Sequence, residues 1–255
     1  MKRLRFTLFV FLAIMTGCGS STRSPITLAG NWQLSLDNNS GKIPSGFLLQ
    51  SGNSLNGDFL ISGNCSGVGT AQGQLSGANV NITVDGADQS LSLTGTVSAD
   101  GSSMSGQYSN LASGCGFSET GNWTASKVKD FAGTFQGTFT SVIATNLVFH
   151  FSGTVAQGSN TGSSFAALSG NMNSSDSPCF SSAVISGQVS GTAVVLNLLD
   201  ANGVALGKID GNTTFDASSM TGNYYFINTK VPLSCGSNGT SDFGTFSLTM
   251  QSSGS

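Results

Sequence analysis

Charge is scarce in this chain. Asp, Glu, Lys and Arg make up 8% of 255 residues, against roughly a quarter in ordinary soluble proteins, so Ser, Thr, Asn, Gln and Gly must build most of the surface. Three of the nine basic residues, Lys2, Arg3 and Arg5, stand in the first five positions, leaving six against twelve acidic residues. No basic patch remains to neutralise phosphates, and nucleic acid is excluded as a partner. His150 is the only histidine and Glu119 the only glutamate. One imidazole without partners does not assemble a nucleophile, base and orienting group. Leu147, Phe149 and Phe151 share one face of their segment, which directs His150 to solvent. Most aspartates stand in turn contexts such as Asp85-Gly86, Asp210-Gly211 and Asp200-Ala201-Asn202-Gly203, where turn chemistry accounts for them. The five cysteines include no Cys-x-x-Cys pair, so no metal site is expected. These scarcities point to a chain that is not an enzyme, with no catalytic residues and no cofactor.

Only four prolines interrupt the chain, and no helical stripe is visible beyond residue 17. Glycine is abundant, at 35 residues, and 38% of the chain is hydrophobic, enough to build cores. Val80, Ile82 and Val84 alternate with polar residues, as do Leu91, Leu93, Gly95 and Val97. This period of two is that of a strand with one buried face. Counting such runs between turn signals gives eight short strands over residues 30–127 and eight over 133–250.

The two sets are copies. Gly30-Asn31-Trp32 opens the first and Gly133-Thr134-Phe135 the second; Gly121-Asn122-Trp123 and Gly244-Thr245-Phe246 close them. Cys65 and Cys179 each precede a glycine pair, Gly73/Gly77 and Gly187/Gly191, at the same spacing. Ser102–Tyr108 (SSMSGQY) returns as Ser218–Tyr224 (SSMTGNY), and Cys115 or Cys235 follows. Internal repetition of this order marks a tandem duplication. The expected fold is all-β: two tandem eight-stranded antiparallel up-and-down barrels, with two β-sandwiches as the alternative. Inward glycines such as Gly95, Gly106 and Gly222 suit the sharp strand bends of a small barrel. The units are bounded at 29–129 and 130–251.

In a meander the first cysteine of each unit follows strand three and the second precedes strand eight, so both lie at one end. Disulfides Cys65–Cys115 and Cys179–Cys235 are therefore expected, the one pairing of the three that respects the repeat.

The N-terminus supplies an address. Lys2, Arg3 and Arg5 precede an apolar run, Phe6 to Met15, too short to span a bilayer and of signal-peptide form. Met15-Thr16-Gly17-Cys18 resembles the lipobox of bacterial lipoproteins, with Met15 in place of the usual Leu. The resemblance implies cleavage after Gly17, a diacylglycerol on Cys18, and a polar tether over 18–28. Gly19 follows in place of Asp, which implies the outer membrane rather than retention at the inner one. The membrane, through this anchor, is the expected partner.

Gly-x-Trp at the first strand of a small antiparallel barrel resembles the lipocalin and avidin-like (calycin) group. Trp32, Trp123, Phe135 and Phe246 would then close the barrels, as a filled core or beneath a cavity for a small hydrophobic ligand. The functional expectation is a non-enzymatic cell-envelope lipoprotein with a binding or structural role. Its alternatives are a calycin-like carrier, and an adhesin-like or assembly module that contacts another envelope protein.

Overall fold

The computed structural model describes residues 25–37, 42–63, 66–112, 118–143, 147–160, 162–227 and 241–251. Sixteen strands follow one another, with no helix among the described residues. The first eight are β1 (Gly30–Leu36), β2 (Ile43–Ser51), β3 (Ser54–Ser62), β4 (Gly67–Ser76), β5 (Asn79–Asp85), β6 (Gln89–Val97), β7 (Ser103–Ala112) and β8 (Glu119–Val128). The second eight are β9 (Gly133–Ser141), β10 (Val148–Gln157), β11 (Ala166–Asn173), β12 (Ser182–Ser190), β13 (Ala193–Leu199), β14 (Ala205–Thr213), β15 (Ser219–Ile227) and β16 (Ser241–Met250). Each strand pairs antiparallel with its neighbour, and β1 with β8 and β9 with β16 complete two closed barrels. Closure leaves no sheet edge open to other chains, and it decides for barrels over sandwiches.

Alternation along each strand sends apolar residues inward. Val80, Ile82 and Val84 on β5 are buried while Asn79 and Asn81 are exposed. Gly95 pairs with Gly106, and Gly211 with Gly222. A Cβ at any of the four would run into the backbone of the opposite strand, so these pairs are where each sheet bends tightly enough to close.

Successive strands alternate in direction, so each barrel has a near end, where β1 or β9 begins, and a far end. The near end of each is plugged by the same device. Leu28 is buried in the first core; its N–H donates to Gln50 Oε1 at 2.6 Å, and its carbonyl accepts from Trp32 Nε1 at 2.7 Å. In the second barrel Phe131 takes that place, with its N–H on Gln157 Oε1 at 2.9 Å. Leu28 thus belongs to the first barrel's core.

The barrels dock side against turn. The Ser190-Gly191-Thr192 turn between β12 and β13 lies on the outer face of β1 and β2. Asn31 Nδ2 donates to the Gly191 carbonyl at 2.8 Å, and the Gly191 N–H donates back to Asn31 Oδ1 at 2.7 Å. The Thr192 N–H donates to Gln33 Oε1 at 3.2 Å, and the Ser45 and Ser190 hydroxyls are 2.9 Å apart. Phe47 of β2 packs into the second barrel's core cluster. Phe47 and Leu48 are both buried, so this strand is covered on both faces where it meets the second barrel.

Candidate functional site

The four aromatics expected to close the barrels are all buried inside them. Trp32 sits under the Leu28 plug, while Trp123 stands mid-wall with its indole N–H on the Thr94 carbonyl at 3.1 Å. The second lumen is filled by rings. Phe139 lies 4.2 Å from Phe151, 5.1 Å from Phe149, 4.8 Å from Tyr224 and 5.0 Å from Phe226, centroid to centroid, with Phe135 and Phe246 beside them. Tilted and edge-on pairs at such distances contribute about 0.5–1.5 kcal/mol each beyond area burial. The first lumen holds fewer rings, Trp32, Trp123, Phe59 and Tyr108, among a majority of aliphatic side chains.

Polar groups inside the barrels come from matching positions. In the second, Asp242 is fully buried; it accepts from Tyr224 Oη at 2.7 Å and from Ser141 Oγ at 2.5 Å. Burial and the Asp242 carboxylate push the Tyr224 hydroxyl well above the usual tyrosine range. In the first barrel Glu119 takes the Asp242 position but pairs with Lys42 Nζ at 3.3 Å. Asn110 Oδ1 accepts from the same ammonium at 2.7 Å, its amide oriented to satisfy both neighbours. The Tyr108 hydroxyl is left buried with no hydrogen-bond partner among the described residues. Burial, then the charges of Glu119 and Asp37, raise it.

His150 points outward, as its segment predicts. Its Nδ1 is 2.9 Å from Asp176 Oδ2, and its backbone N–H donates to Asp176 Oδ1 at 2.8 Å. The imidazole above all holds the Asp176 carboxyl below its ordinary range. Ser174 Oγ donates to the His150 carbonyl at 2.6 Å, so this hydroxyl is engaged with backbone rather than with an imidazole nitrogen. Among the described residues no three His, Cys, Asp or Glu side chains converge as metal ligands.

Cys18, Cys65, Cys115 and Cys235 lie outside the described residues. Cys179 is buried and disulfide-bonded. By position, Cys65, Cys115 and Cys235 fall in the β3–β4, β7–β8 and β15–β16 connections, which join far ends, as does the β11–β12 connection that carries Cys179.

Two outer features were not anticipated. The first is apolar. Among the described residues ten large hydrophobics are exposed, and all but Phe215 lie toward the far ends. Three of them adjoin on the second barrel: Tyr225 pairs with Phe243 across β15 and β16, and the Val142 N–H donates to the Phe243 carbonyl at 3.0 Å. They are 50%, 46% and 62% exposed respectively. Alternation alone places Tyr225 and Phe243 outside, since Tyr224 and Phe226 point in. The second feature is a cleft of about 970 Å³ where the near ends of the two barrels meet. Phe47, Leu49 and Phe215 form apolar parts of its wall, and Lys127 and Lys129 stand along it.

The fold defines a class, the tandem closed eight-stranded antiparallel barrel. Neither a family model, nor a curated protein, nor a solved structure matches the chain.

Proposed function

We propose that this is a lipid-anchored protein of the outer membrane without enzymatic activity, which holds another envelope macromolecule against the far end of its second barrel. The observation that carries the reading is the Tyr225–Phe243–Val142 patch. Paired aromatics left half exposed on an outer face, in a chain with so much polar surface available, are what a contact surface requires. Of the two alternatives, the adhesin-like or assembly role is the one such outer aromatics favour. A calycin-like carrier is less favoured, because in the second barrel the lumen is occupied by its own rings. Attachment through Cys18 and intra-barrel pairs Cys65–Cys115 and Cys179–Cys235 complete the proposal; the buried, bonded state of Cys179 is consistent with the second pair.

Two measurements test it. Labelled fatty acid should be incorporated by the native protein and lost in Cys18→Ser; incorporation by neither removes the anchor. A photoreactive residue at position 225 or 243 should give one discrete cross-linked species in intact cells, abolished by Val142→Asp. The same residue at position 92, on the outer face of the first barrel, should give none. Equal cross-linking from 92 and 225 would contradict the assignment of the patch.

A further inference from the structure

Lys127 occupies a position that the fold does not require to be charged. Its stem lies across Gly30 beside the Trp32 ring, with Nζ 5.9 Å from the ring centroid and 3.4 Å from the Thr27 carbonyl. In the second barrel the same slot, opposite Phe135 and against Gly133, is filled by Met250. A thioether therefore satisfies the packing there, whereas in the first barrel an ammonium has been carried partly out of water. Its desolvation lowers the Lys127 pKa, and Asp130 offsets only part of this. Partial burial of a cation disfavours its charged form, so the departure from Met calls for a reason.

The surroundings supply one. Lys127 lines the junction cleft together with Lys129, and neither forms an ion pair with any described carboxylate. The carboxylates of the cleft already have donors: Asp130 accepts from Gln157 Nε2 at 3.0 Å, and Asp216 accepts from Thr214 Oγ1 at 2.6 Å. Phe47, Leu49 and Phe215 supply apolar wall beside the two ammonium groups, and Phe215 is half exposed. The volume falls within the range of about 300–1,000 Å³ typical of small-molecule sites.

We infer that the junction cleft binds a single-chain amphiphilic anion, with its carboxylate on Lys127 and Lys129 and its hydrocarbon against Phe47, Leu49 and Phe215. The ligand then lies between the barrels rather than within either one. This goes beyond the far-end contact proposed above and does not depend on it, because the two surfaces lie at opposite ends of the second barrel.

The test is titration calorimetry of the chain from Gly19 onward, which lacks Cys18 and so carries no acyl chain of its own to compete for the cleft. Decanoate and decanol are compared below their aggregation limits. The expected result is one decanoate per chain, bound about tenfold or more tightly than decanol, as a hydrogen bond to a charged group provides. Lys127→Met, which copies the second barrel, should bring the two ligands to within about twofold without lowering thermal stability, and Lys127→Gln should do the same. Absence of saturable binding, equal binding of acid and alcohol by the native chain, two ligands per chain, or an undiminished preference in both variants would each overturn the inference.

Discussion

The two barrels share a backbone plan but fill it with different chemistry. Leu28 and Phe131 plug the near ends, each through a glutamine, Gln50 or Gln157. Gly77 and Gly191 turn the same hairpin with φ of 61° and 56°, yet Gly77 faces open space while Gly191 is wedged against Gln33 and Ser45. Asp242 gathers Tyr224 and Ser141 inside the second barrel, whereas Glu119 in the first is drawn to Lys42 and leaves Tyr108 alone. Lys42 and Phe149 each stand three residues before the serine, Ser45 or Ser152, that pairs with Gln33 or Gln136. An ammonium in one barrel thus matches a ring in the other. Glycine, turn and plug positions are what the closed barrel needs, and they recur. The side chains between them differ where one copy meets a neighbour or a polar centre that the other lacks.

The largest contrast should come from the buried carboxylates. Asp242→Ala leaves the Tyr224 hydroxyl deprived of its acceptor inside the second barrel and should lower stability by about 3 kcal/mol. Glu119→Ala takes the carboxylate from a buried ammonium, but Lys42 keeps Asn110 Oδ1 as an acceptor and Glu119 is one-fifth exposed, so the cost should be smaller, about 1–2 kcal/mol. Chemical denaturation of both variants gives the comparison, and equal losses would mean that the two centres are energetically alike.

The hairpin glycines sharpen it further. A residue other than glycine in left-handed conformation costs about 1 kcal/mol, and that alone is expected of Gly77→Ala. Gly191→Ala adds a Cβ that must displace Gln33 and Ser45, so the docking of the barrels should also be lost. Small-angle scattering should show a larger radius of gyration for Gly191→Ala and none for Gly77→Ala.

A smaller effect concerns the β6–β7 and β14–β15 turns, where the barrels should behave alike. The Ser98 hydroxyl holds the Asp100 carboxyl down to about 2, and the Thr214 hydroxyl does the same for Asp216, against an ordinary value of 3.8. Both folded values are depressed, so each turn contributes stability above pH 3.8 that is lost as pH falls toward 2. Asp100→Asn and Asp216→Asn should each flatten the acid limb of a stability–pH profile slightly and equally. Unequal flattening would separate the two turns.

Much of this organisation could be read from residues alone. Period-two runs such as Asn79–Val84 carry their own strand signal, and the returning Met-x-Gly-x-Tyr revealed the duplication because glycine and tyrosine positions are set by backbone closeness. Closure itself needed the register of β1 against β8, which no local pattern contains. Leu28 reads as the end of a polar tether because one apolar residue has no period; only its contact with Trp32 makes it a plug. The docking of the barrels left no distinctive trace, since the unbroken Phe47-Leu48-Leu49 run of β2 is matched by Phe59-Leu60-Ile61 in β3, and only the contact of Phe47 with the second core separates them. The far-end patch was legible in principle, since Tyr224-Tyr225-Phe226 must send one ring outward. The cleft was not, because Lys127 and Phe215 are brought together only by the assembly of both copies.

Of the departures between equivalent positions, Lys127 is the one that serves a ligand rather than the fold, and its exchange with Met250 tests this most directly. Equilibrium unfolding of Lys127→Met and Met250→Lys should be asymmetric. Lys127→Met should be neutral or more stable by up to about 1 kcal/mol, because it ends the partial desolvation of a cation. Met250→Lys should lose about 1–2 kcal/mol, since its slot offers a partly buried apolar contact and no ligand cleft. A Lys127→Met variant destabilised as much as Met250→Lys would show that the lysine serves the fold of its own barrel, and the account would fail.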